Sequence, residues 1–140
     1  AAPEAARGAF RNVRRVFGDI ANNVKRFEPG KEVAPGITSI AAYGHTPGHT
    51  VFAVSSGNRS MLVLGDTTNH PALFVRNPEW QAVFDVDGNM AAETRKKLLD
   101  RAAADKMLVQ GYHFPFPASG HIAKESKGYE FVPVQWQPTL

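Results

Sequence analysis

The longest apolar runs of this chain, Val51–Val54 and Met61–Leu64 among them, are only four residues long, and turn-forming residues follow each. Runs this short fall far below the ~20 residues that cross a bilayer. They suit the buried strands of a layered sheet, and the spacing between them decides how such a sheet can be connected. With 43% hydrophobic and 21% charged residues, the composition is that of a core-forming chain rather than a disordered one. At 140 residues the chain has the size of one domain, able to bury roughly two-thirds of its unfolded surface. A piece of a larger domain has the same size.

Before the first of these runs the pattern has a different period. Phe10, Val13, Phe17, Ile20 and Val24 recur three or four residues apart, which predicts an amphipathic helix that Gly18 and Asp19 interrupt. Pro29-Gly30 and Pro35-Gly36 end the helical lead-in, so residues 1–30 read as helix and 31–140 as strands, a helix and a C-terminal hairpin. Ile37–Tyr43, Val51–Ser55 and Met61–Leu64 read as strands, the last two joined by a turn at Ser56-Gly57-Asn58-Arg59. Pro71 and Pro78 break the pattern from His70 to Val86, and Asp87 or Asn89 then offers an N-cap for a helix to about Ala104. Leu98, Leu99, Ala102 and Ala103 supply its buried side. Met107–Val109 reads as a short strand entering a loop from Gly111 to Gly120, and Tyr129–Gln135 as the final strand. Helix, strands, helix and strands predict an α+β sandwich.

Composition removes several functions. The net charge is +3, but its Lys and Arg are dispersed, giving no concentrated basic groove for a nucleic acid. There is no cysteine, so a bound metal must rely on His, Asp or Glu. The opening AAPEAARG begins with Ala1 and has neither the apolar core nor the length of a signal peptide, so a processed or cleaved chain is expected. A soluble protein is expected, and the sequence leaves its compartment, cytoplasmic or periplasmic, open.

Three segments carry groups suited to chemistry. In His45-Thr46-Pro47-Gly48-His49-Thr50 a Pro-Gly turn between strands holds the second histidine rigidly at a strand edge, and rigid placement is what a metal site requires. Taken alone, both histidines also read as polar turn residues. Met61-Leu-Val-Leu-Gly65-Asp66 ends a buried strand in a carboxylate, which needs a cation or a hydrogen-bonded turn as partner. The turn Thr67-Thr68-Asn69 could supply the second. In Gly111-Tyr-His113-Phe-Pro-Phe-Pro117 two prolines fix the backbone and aromatics flank the histidine, as in the lining of a small apolar pocket or a packed core.

Taken in order, these segments resemble the metallo-β-lactamase superfamily, whose pattern is H-x-H-x-D-H, then H-T-P-G-H-[ST], then a strand ending in G-D, then a late histidine. HTPGHT stands at residues 45 to 50 and LVLGD at 62 to 66, and the stretch from Gly111 to His121 followed by Lys127–Val134 is most similar to the methyl parathion hydrolase and lactonase-like branch. The resemblance covers nearly everything beyond Gly36. It implies half of an αββα sandwich, the C-terminal part of a single domain, with His49, Asp66 and His113 as metal ligands and His45 as a neighbour that is not itself a ligand. Asp66 would be the catalytic carboxylate shared by two divalent ions, zinc by preference, with manganese, iron or cobalt also compatible with an all-N/O set. A metal-bound hydroxide would attack an ester, lactone or phosphotriester.

The H-x-H-x-D-H motif is absent from these residues. The resemblance therefore implies half a site, an inactive chain on its own, and a partner in the missing N-terminal half, with self-association as the other way to cover its open face. A small-molecule substrate is expected, with Phe114, Phe116, His70 and His121 as weaker candidates for its pocket. Two other functions fit the same pattern: a non-catalytic binding module of this fold, and an iron-dependent redox member.

Overall fold

The computed structural model describes residues 4–137. Helix α1 (Glu4–Phe17) opens with Glu4, which pairs with Arg7 at 2.6 Å, and closes with Arg14 and Arg15, so both ends complement the helix dipole. It stops where Gly18 and Asp19 intervene, and Gly18–Asn23 continues as a 3-10 turn. The stripe from Phe10 to Val24 is about half exposed. The helical part of the lead-in thus ends at Asn23, short of residue 30.

Seven strands follow: β1 (Glu32–Ala34), β2 (Ile37–Ala41), β3 (Thr50–Ser56), β4 (Arg59–Val63), β5 (Leu108–Gln110), β6 (Ser119–Lys124) and β7 (Tyr129–Pro133). They form one sheet in chain order. All neighbours are antiparallel except β4 and β5, which run parallel. The β3–β4 hairpin turns on Gly57-Asn58, with Gly57 at φ +58°, as a two-residue turn of this hand requires. A parallel pair cannot be closed by a tight turn and needs a long crossover. Helix α2 (Gly88–Ala104) is part of that crossover, capped by Asp87, whose side chain accepts the Met90 amide hydrogen at 2.9 Å.

Helix α2 covers one face of the sheet. Leu62, Leu64, Val109 and Ile122 pack with Leu99 and Ala102 in the main core cluster, while Val51, Ala42 and Leu98 form a smaller one. Truncating a wholly buried leucine such as Leu99 to alanine should cost about 2–5 kcal/mol. Alternation puts Phe52, Val54, Met61, Val63 and Leu108 on the opposite face. None of these five is buried, although the Phe27 ring meets Phe52 edge-on at 6.1 Å. No helix among the described residues is long and apolar enough to cross a membrane.

Elements with strong periodicity or clear punctuation lie within a few residues of expectation. Three do not. Strand β1 has only three residues, Pro71–Val75 forms a π-helical turn inside the stretch read as irregular, and β6 begins within the expected 111–120 loop. Gly120 carries no side chain to signal a strand, and its Cβ would meet Val132 on β7.

Tyr129 is buried where β7 meets α2, and burial first, then the Asp100 carboxylate, pushes its phenol up to about 12. A raised value means that the protonated phenol is the form the fold stabilises. Its contribution is complete below pH ~10 and is lost as pH rises through the folded value. Melting temperature should therefore fall between pH 10 and 12 in the wild type, and less steeply in Tyr129→Phe. Parallel profiles would contradict this assignment.

Candidate functional site

The topology brings the three chemical segments to one edge of the sheet. Strands β4 and β5 are parallel and end together, while β3, antiparallel to β4, starts at that same edge. His49 immediately precedes β3, Asp66 lies just beyond β4, and His113 lies just beyond β5. Crevices at the carboxyl ends of parallel strands are where αβ sheets place their ligands.

Within this edge Asp66 is the hub. His113 Nε2 donates to Asp66 Oδ1 at 2.6 Å, and the Asp66 amide donates to His49 Nε2 at 3.0 Å. His49 Nδ1 donates to the Ala42 carbonyl at 3.0 Å. A carbonyl only accepts, so the His49 proton sits on Nδ1 and Nε2 carries the lone pair. Burial, acting first, lowers the His49 pKa below the ordinary histidine value, which keeps the ring neutral as a metal ligand must be. Gly65 makes the close approach possible. It stands at φ +53°, and a Cβ there would lie 2.9 Å from His49 Nε2.

The donor set fits a divalent cation in kind: two imidazole nitrogens and a carboxylate, with one histidine already oriented through its other ring nitrogen by a backbone carbonyl. No three His, Asp or Glu side chains among the described residues converge as a ready-made metal site. His49 Nε2 is turned to the Asp66 amide and His113 Nε2 to the Asp66 carboxylate.

Sequence reasoning missed how His45 is held. Its Nδ1 donates to Asp85 Oδ1 at 2.9 Å, its Nε2 lies 3.9 Å from Asp66 Oδ2, and its ring meets His49 edge-on at 5.7 Å. Asp85 comes from the stretch read as irregular and Arg95 from the middle of α2, and both side chains are almost wholly buried, 2% and 1% exposed. A charged residue inside a helix gives no hydropathy signal of burial. The one available hint was the Phe-Asp pair at 84–85, flanked by apolar residues.

Asp66, His45 and His113 border an open cavity of about 620 Å³ whose other walls include His70, Leu73, Phe74, Val83 and Phe84. His70 also caps the turn that follows it, its Nδ1 accepting the Ala72 amide at 3.3 Å. The other pocket candidates lie elsewhere. Phe114 is buried in the core, edge-on to Phe131 at 4.6 Å, because the turn from Gly111 folds it back under β5. Phe116 is exposed and meets Trp136 at 5.7 Å beside a separate groove. His121 on β6 binds the Met107 carbonyl at 3.1 Å and borders a cavity on the uncovered sheet face.

No protein-family model matches the chain, and no curated protein matches it. Solved structures do. AidC, a dizinc quorum-quenching lactonase in complex with a product N-hexanoyl-L-homoserine, is 27% identical with a TM-score of 0.87 over 96% of this chain and 46% of its own. The hydrolase AbOPH of the β-lactamase superfamily is 23% identical with a TM-score of 0.86, over 96% of this chain and 48% of its own. A probable metal-dependent hydrolase from Staphylococcus aureus is 21% identical with a TM-score of 0.69, over 87% and 43%. The chain therefore has the α+β architecture of metallo-β-lactamase superfamily hydrolases, lactonases among them, and it spans about half the length of the structures it matches.

Proposed function

We propose that this chain is the C-terminal half of a metal-dependent hydrolase whose substrate is a small ester, lactone or phosphotriester. The observation that carries the reading is the meeting of His49, Asp66 and His113 at one sheet edge beside the cavity. In this reading His49 Nε2, the Asp66 carboxylate and His113 Nε2 hold two divalent ions, zinc by preference, together with ligands from an N-terminal half. Bound there, the ions supply Lewis acidity and an activated water.

The chain's own residues do the rest. Asp66 supplies the negative charge that keeps two cations together, and the Ala42 carbonyl holds His49 in the tautomer that can ligate. Leu73, Phe74, Val83 and Phe84 offer apolar walls for the non-reacting part of a substrate, which orients it and excludes water. AidC is described with a lactone-derived product, which favours lactones among the three classes.

The N-terminal half also answers a packing problem. Phe52, Val54, Met61, Val63 and Leu108 form an apolar band that no helix among the described residues buries, a face that a second sheet would bury. The test is turnover by the intact protein of lactones, aryl esters and phosphotriesters. We expect hydrolysis of at least one class, abolished by a chelator and restored by added zinc or manganese. Absence of chelator-sensitive hydrolysis of all three would overturn the proposal.

A further inference from the structure

A buried Asp–Arg pair is an expensive feature, and apolar replacements of such pairs are often neutral or stabilising. What Asp85 and Arg95 hold is therefore more informative than the pair itself. The Arg95 guanidinium lies within α2, its Nη2 3.8 Å from Asp85 Oδ2. Its Nε donates to the Thr67 carbonyl at 2.9 Å, the residue next to Asp66, and Nη1 donates to the carbonyls of Pro78 and Trp80 at 2.7 and 2.6 Å. The Phe74 ring faces it at 5.1 Å. Asp85 in turn accepts from the Ala82 amide through Oδ2 and from His45 through Oδ1. One side chain of α2 thus registers the backbone beside Asp66 against the carboxylate that fixes the His45 ring.

We infer that Arg95, Asp85 and His45 form a positioning chain for Asp66, in which Arg95 sets Asp85, Asp85 sets the His45 ring, and that ring confines Asp66 Oδ2. The inference rests on the metal-hydrolase reading. His45 stands on the cavity wall between Asp85 and Asp66, and the backbone already ties its loop down through Val86 to the His45 carbonyl and Asp87 to the Gly44 carbonyl. The Asp85 side chain is thus not needed merely to close the loop. Its Oδ2 serves the Ala82 amide and Arg95, and its Oδ1 is left to direct the ring.

Zinc affinity of the intact, demetallated protein, measured by calorimetric titration, tests this. Changes to residues that orient ligands cost about 10–100-fold in affinity. His45→Ala and Asp85→Asn should each weaken zinc binding about tenfold, and the double variant should be no weaker than His45→Ala alone, because Asp85 acts through that ring. If Asp85 only held the fold together, its loss would weaken binding by the same factor whether or not His45 were present. Independent, multiplying losses, or wild-type affinity in either single variant, would overturn the inference. Should Asp85→Asn fail to fold, His45→Ala decides alone: a tenfold loss supports the chain and unchanged affinity overturns it. An intact wild type that binds no zinc would overturn the hydrolase reading and this inference together, whereas zinc binding indifferent to both variants would overturn only the inference.

Discussion

Asp66→Asn in the intact protein is expected to lower hydrolysis by more than about 100-fold, beyond the range that loss of an orienting partner produces, and to leave it short of metal. The amide keeps the shape of the side chain but removes the negative charge that would hold two cations together. It also replaces one acceptor oxygen by a donor, leaving a single neutral oxygen to accept from His113 Nε2, which donates to Asp66 Oδ1 at 2.6 Å. His49→Ala and His113→Ala should likewise lose metal and activity. His45→Ala should keep its metal at saturating zinc and lose far less turnover. Elemental analysis beside turnover for the four variants separates ligands from neighbours: full occupancy in Asp66→Asn, or equal losses for His45 and His49, would show the ligands to be wrongly assigned.

A second large effect concerns the chain by itself. Separated from an N-terminal half, the 140 residues leave the apolar band on the far sheet face uncovered, together with the half-exposed stripe of α1 and the 3-10 turn. Exposing that much apolar surface favours association. The isolated chain should therefore self-associate or melt without a cooperative transition, and show no appreciable hydrolase activity. Sedimentation and thermal melting test this, and a monodisperse monomer with a sharp melt would contradict it.

Much of the fold was legible because the relevant signals are local. The Gly57-Asn58 turn and the Asp87 cap state their roles through residue type, and the short apolar runs mark β3 and β4 to within two residues. Strands β1 and β6 were not legible: one is too short for alternation to register, and the other begins in a stretch where Gly120 offers no side chain to read. The three residues that meet beyond β4 and β5, His49, Asp66 and His113, are the ones that motif and order single out, and their role as ligands is the proposal. Their arrangement required the parallel β4–β5 pair, a long-range feature. The burial of Asp85 and Arg95 was invisible for the same reason, since partners as far apart as Thr67 and Arg95 meet only in the folded chain. Phe114 shows the reverse case, in which a residue beside His113 in sequence turns into the core.

In the proposed function these residues form one half of a shared metal site. Metal content per chain decides it most directly, measured for the 140-residue chain alone and for the same chain produced with its N-terminal half. Two divalent ions are expected in the complete protein and far less than one, weakly held, in the chain alone. Equal metal content in the two preparations, or none in either, would contradict it.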